Sequence, residues 1–159
     1  MSMGTVSSSQ LKQTLVLLFA IHLLLPSIQA TSVKYCDNKG NYDVKILGVE
    51  ISPDPVVAGK PATFNISAST GKSISGGKLD IYVYFFSVIV HKETHDLCEK
   101  ISCPVEGGSF FLSHTQTLPG FTPPGSYTLK FIMKDKNDDQ LSCASFNFKI
   151  HLGDLVSDN

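Results

Sequence analysis

Four cysteines, Cys36, Cys98, Cys103 and Cys143, and one His91-Lys-Glu-Thr-His95 segment are the residues of this chain best equipped for chemistry. Thiols supply nucleophiles, metal ligands or disulfides, and two histidines four apart invite comparison with the His-Glu-x-x-His zinc site. That motif needs a helix to bring both imidazoles to one face, with Glu directly after the first His. Here Glu93 stands two residues on, the setting reads as strand or loop, and a third ligand is not evident. His91 and His95 are therefore expected to be exposed loop histidines, and no metal site is expected. Asp135-Lys-Asn137-Asp-Asp139-Gln140 opens like a calcium loop, but Gln140 takes the place of the required Gly and Phe146 that of the bidentate Glu. A hairpin turn is the expectation there.

Other catalytic arrangements fare no better. The chain has no Gly-x-Ser-x-Gly elbow, and cysteines that are all bridged leave no thiol nucleophile. Each Asp and Glu reads as part of a turn, a strand start or the tail, whereas a carboxyl poised for acid catalysis needs an apolar pocket to raise its pKa. A blue-copper site would need a His close after a late Cys and an axial Met; His151 is too far from Cys143 and no Met follows it. No catalytic residue, cofactor or enzymatic activity is expected.

The compartment bears on how the cysteines are read. Residues 1–30 carry Lys12, an apolar run from Leu15 to Leu25, then Pro26 and the small Ala30, the pattern of a signal peptide and too short an apolar run to span a bilayer. Beyond it lie 129 of the 159 residues, enough for one domain (31–152) and a polar tail (153–159) expected to be flexible. Twelve of the 13 lysines and all 14 acids fall there, and arginine is absent from the chain. A near-neutral surface with no Arg to read base edges argues against nucleic acid as a partner. The four cysteines then read as two disulfides of an exported protein. Three pairings are possible; the four residues between Cys98 and Cys103 suit a loop clip, which leaves Cys36 with Cys143. Zinc is a poor alternative, because the Cys-x4-Cys pair has no second close pair.

Behind these residues the chain reads as all-β, with short alternating runs of branched and aromatic residues separated by Gly, Pro, Asn and Asp, as in a two-sheet sandwich. Val44 to Ile51 changes parity beside Gly48, which predicts a bulge, and Ser52-Pro53-Asp54-Pro55 ends the run. In the next run Asn65-Ile66-Ser67 is an N-glycosylation sequon, so Asn65 should face water, with Ala62, Phe64, Ile66 and Ala68 inward. Lys78 to Val90 reads as a single central strand bending near Ser87, with Leu79, Ile81, Val83 and Phe85 inward and Asp80, Tyr82 and Tyr84 outward. The charged segment His91 to Cys103 reads as a loop. Phe110 and Leu112 mark another inward face, and Leu118 to Gly125 a turn. A final hairpin puts Tyr127, Leu129, Phe131 and Met133 inward, then Ala144, Phe146, Phe148 and Ile150, with Cys143 on the outward parity. On residues alone, a Phe-rich interior of this kind is either a solid core or the wall of a ligand cavity.

In order and spacing these residues resemble the MD-2-related lipid-recognition, or ML, family. The markers are Cys36, Pro53-x-Pro55 with Gly59, Cys98, Cys103-Pro104-Val105 with Gly107, Pro124-Gly125-x-Tyr127, and Leu141-x-Cys143 with Phe146 and Ile150. The resemblance implies an immunoglobulin-like β-sandwich whose sheets enclose an apolar cavity, and the same two disulfides. It also implies a secretory-pathway protein, extracellular or in a vacuolar or endosomal lumen, that binds and transfers a sterol or a phosphatidylglycerol- or phosphatidylinositol-type phospholipid as a monomer in transient contact with membranes. The alternative is a module that presents lipid to a receptor or membrane protein. Candidate lining residues are Phe64, Ile66, Val83, Phe85, Phe110, Leu112, Phe131, Met133, Phe146, Phe148 and Ile150, about half of them touching ligand. Phe121, Pro123 and Pro124 are either an apolar lip at the mouth or a rigid packed turn. On this reading Phe131→Asp should abolish lipid uptake in a protein that still folds.

Overall fold

Period-two alternation accounts for most of the observed elements, since inward apolar and outward polar positions let each strand cover one face of a shared core. A computed structural model describes Lys12, residues 31–37 and residues 39–153; the expected leader, Lys12 apart, and the tail beyond Gly153 lie outside the described residues. The strands are β1 (Val33–Tyr35), β2 (Val44–Ser52), β3 (Val56–Val57), β4 (Pro61–Thr70), β5 (Lys78–Phe85), β6 (Val88–Asp96), β7 (Gly108–Thr117), β8 (Gly125–Lys134) and β9 (Gln140–His151). One short helix, α1 (Leu97–Lys100), follows β6. The larger sheet runs β1-β9-β8-β5-β6, with β3 added parallel to the end of β9, and the smaller sheet runs β2-β4-β7. Among the described residues no helix is long and apolar enough to cross a membrane.

The two sheets pack face to face, and a single cluster of buried side chains fills most of the space between them. In β4, Ala62, Phe64, Ile66 and Ala68 are buried and Asn65 lies on the other face, half-buried, its Oδ1 accepting a 2.7 Å hydrogen bond from Ser113 Oγ. The bulge in β2 falls between Ile46 and Gly48, where the register against β4 shifts and Leu47 is left exposed. Asp135 closes the β8–β9 turn by accepting from the backbone N–H groups of Asn137 and Asp139, so its carboxylate serves the turn.

Two expectations are corrected. Lys78 to Val90 is not one bent strand but a hairpin, β5 and β6, joined at Phe86 and Ser87, which both take positive φ (47° and 66°). Two positive-φ residues are what a tight type I′-like connection requires, and without Gly or Asn here the sequence hides it. His91 to Cys103 is not a loop either, because β6 runs on to Asp96, whose side chain accepts from Cys98 N–H at 2.8 Å to cap α1. Its charges are compatible with a strand because β6 is an edge, open to solvent on its outer face.

Both disulfides pair as read from the spacing, with Cα separations of 5.4 Å for Cys36–Cys143 and 5.3 Å for Cys98–Cys103. Cys143 lies outside the core between the sheets yet is buried, since β1 pairs along β9 and Cys36 N–H donates to the Cys143 carbonyl.

Asp80 is on the outward parity of β5 but is buried by its neighbours. Thr94 Oγ1 donates to it at 2.7 Å and Lys134 Nζ at 2.9 Å. Burial alone would push its pKa up, but the Thr94 and Lys134 hydrogen bonds and the lysine charges outweigh that and hold it below the ordinary 3.8. A depressed carboxylate contributes stability that is present above the unfolded-state pKa and is lost as pH falls through the folded value. Asp80→Asn is therefore expected to cost about 1 kcal/mol near neutrality and progressively less below about pH 4. Urea unfolding of both proteins across that range checks this, and a pH-independent difference would contradict it.

Candidate functional site

At one end of the sandwich the inner faces do not close. There the β5–β6 turn, the start of β8, the end of β9 and the β7–β8 connection surround a cavity of about 440 Å³ between the sheets. Phe64 contributes from β4, Ile81, Val83 and Phe85 from β5, Tyr127 and Leu129 from β8, and Phe148 and Ile150 from β9. Four aromatic rings run along the wall: Phe85 stacks on Tyr127 at 4.6 Å, Tyr127 meets Phe148 at 5.7 Å, and Phe148 meets Phe64 edge-on at 5.3 Å. Ring pairs at these spacings add to the area they bury, so the wall is ordered. Tyr127 Oη donates to the Pro123 carbonyl at 2.8 Å and fastens the β7–β8 connection to the wall. Burial pushes the phenol pKa up, which keeps that donor protonated.

Around the opening the chain exposes large apolar side chains. Phe86 and Phe121 are 85% and 88% exposed, and Val88, Ile89 and Val90 on the β6 edge are all more than half exposed. Phe121 and Val90 border the cavity, and Phe86 rests against Phe85 at 4.4 Å between ring centroids.

A polar group interrupts the apolar wall on the side where β6 faces β7. Alternation along β6 puts His91, Glu93 and His95 on one face, and His114 of β7 meets them. Glu93 Oε1 is 2.9 Å from His114 Nε2, while Oε2 is 3.2 Å from His95 Nε2 and 3.6 Å from His91 Nε2. His114 is buried, and burial pushes its pKa down against the opposing pull of the Glu93 carboxylate. His91 is exposed as expected, but both histidines lie on a strand rather than a loop, His95 is half-buried, and a third partner is present, so the expectation is corrected on those points. A strand aligns every second residue as a helix aligns every fourth, and the third partner comes from the facing sheet. The parity of Phe110 and Leu112 already pointed His114 inward, a signal the sequence reading left unused.

Among the eleven candidate lining residues, Phe64, Val83, Phe85, Phe148 and Ile150 border the cavity. Ile66, Phe110, Leu112, Phe131, Met133 and Phe146 do not; they lie farther along the sheets, where the inner faces meet in closed core. Phe121 and Pro123 border the opening and Pro124 does not. Ile81, Tyr127, Leu129 and Leu118 are wall residues absent from that candidate set. Parity says which residues face inward, but only the position of the cavity along the strands says which of them reach it.

Residues 30–150 match the family described as the ML domain. The chain belongs to the ML-domain family. A Schizosaccharomyces pombe phosphatidylglycerol/phosphatidylinositol transfer protein is 30% identical over 125 residues, 73% of this chain and 66% of its own length. A Dictyostelium discoideum protein, provisionally given the same name, is 29% identical over 138 residues, 84% of this chain and 95% of its own. Among solved structures, a Niemann-Pick type C2 protein from the Japanese carpenter ant superposes with a TM-score of 0.60 at 15% identity, covering 76% of this chain and 99% of its own. Chicken MD-1, solved with lipid IVa, superposes at 0.51 and 19% identity, covering 76% of this chain and 88% of its own. The ML-domain fold of this chain is therefore an all-β, two-sheet sandwich, as the resemblance implied.

Proposed function

We propose that this ML-domain protein binds a phospholipid or a sterol in the end cavity and transfers it between membranes. The observation that carries the reading is the cavity itself, whose aromatic walls open through an apolar rim, in a chain similar to named phosphatidylglycerol/phosphatidylinositol transfer proteins. Binding needs no bond making. Each methylene moved from water into the wall contributes about 0.8 kcal/mol, and a cavity of about 440 Å³ falls within the roughly 300–1,000 Å³ of small-molecule pockets. That is the scale of one acyl chain or a sterol body, with a polar head left at the mouth. Phe86, Val88, Ile89, Val90 and Phe121 form the surface that meets the bilayer, so a lipid can pass without crossing water. The two disulfides and the outward Asn65 sequon support residence in an oxidising, secretory or extracellular compartment, with Asn65 as the proposed glycan acceptor.

Mass spectrometry of lipid extracted from the purified protein, paired with fluorescent-lipid transfer between vesicles, tests the reading. Expected are a stoichiometric phospholipid or sterol and a transfer rate that falls several-fold in Phe121→Ser with binding retained. A protein that holds no lipid and takes none up sinks the proposal, and a bound lipid that never exchanges points instead to presentation to a receptor.

A further inference from the structure

We propose that Glu93, His95 and His114 form a binding site for a zinc-class divalent metal ion, with one coordination position left open toward the cavity. The inference stands on the polar group between β6 and β7 and does not depend on what the cavity holds.

Geometry is the first support. One donor atom from each of the three residues lies within 4.8 Å of the other two, across the gap between two facing sheets. The carboxylate oxygens stand 3.2 Å from His95 Nε2 and 2.9 Å from His114 Nε2. Tetrahedral zinc, with bonds of about 2.0–2.1 Å, holds neighbouring donors about 3.3 Å apart. Both carboxylate–imidazole separations are close to that value, and the two imidazole donors lie within 4.8 Å of each other.

A second observation is independent of distance. His95 Nε2 is buried and makes no hydrogen bond, although a Glu93 oxygen stands 3.2 Å away. His114 Nδ1 is also buried without a partner, in a side chain only 5% exposed. Each such orphan has given up its water with no partner in exchange. An ion that takes the His95 lone pair removes one of these deficits, and coordination through His114 Nε2 fixes that ring's tautomer.

The chemistry of the donors narrows the class. Two imidazoles and one carboxylate match zinc sites that keep a fourth position for water, whereas calcium and magnesium favour all-oxygen shells. Glu93 and His114 also border the cavity, the side from which a fourth ligand would be supplied. His91, 3.6 Å from Glu93 and 46% exposed at its side chain, is the outermost of the group and is not required.

Titration of untagged, chelator-treated protein with cobalt(II) reads the site, because cobalt in a four-coordinate nitrogen and oxygen shell absorbs in the visible. Zinc is expected to displace it stoichiometrically. His95→Gln and His114→Gln should each weaken zinc binding by more than about 100-fold, the upper loss for residues that merely support a ligand. His151→Gln, an exposed histidine outside the group, should leave binding unchanged. Circular dichroism accompanies each variant, and if buried His114→Gln fails to fold, His95→Gln carries the test. No binding by the wild-type protein overturns the proposal, as does binding that survives His95→Gln or is lost equally in His151→Gln.

Discussion

Val83→Asp is expected to lower lipid affinity by at least about 100-fold in a protein that still folds, because burying an unpaired carboxylate costs several kcal/mol. Val83 borders the cavity near the open end and is only partly buried. In the empty protein water reaches the new carboxylate, so folding is spared most of that cost. When an acyl chain or sterol fills the space, the charge must lose its water, and binding bears the penalty. Phe131 gives the opposite result. It is fully buried and lies outside the cavity, so Phe131→Asp is expected to unfold the protein and reports nothing about ligand. Lipid recovered per mole of protein, read beside the thermal unfolding curve, separates the two cases. Unchanged recovery in folded Val83→Asp would remove this cavity as the lipid site.

Removing the Cys36–Cys143 bridge is expected to cost about twice the stability lost with Cys98–Cys103. The chain-entropy relation gives about 4.8 kcal/mol for a sequence separation of 107 and about 2 kcal/mol for a separation of 5. Domains of this size hold only about 5–15 kcal/mol in all, so the first loss approaches the margin. Replacing each pair by alanines and comparing denaturant midpoints without reductant checks the order. A larger loss for the short bridge would show that its loop is doing more than local clipping.

Much of the fold was legible because one face of nearly every strand is buried. Ala62, Phe64, Ile66 and Ala68 declare β4, and Tyr127 to Met133 declare β8, since a register slip would turn each set toward water. The edge strand β6 was not legible. One of its faces is solvated and the other carries His and Glu, so its alternation is not written in hydrophobicity. The Phe86–Ser87 turn was hidden for a different reason, as it uses positive φ without the residues that advertise it. At the site, inward positions could be read, but their division into wall and core could not. That division depends on where the sheets part, which is a relation between strands far apart in sequence.

The parting of the sheets has a mechanical side. Among the described residues β6 is bonded only to β5 and β7 only to β4, so along this border no backbone ladder joins one sheet to the other. Away from the α1 connection that carries the chain from β6 to β7, the sandwich is built like a book whose fore-edge is held by side chains, Glu93 against His114 among them. A wider gape at this border would break no hydrogen bond within either sheet, so room for a guest of larger girth would come from side-chain repacking alone.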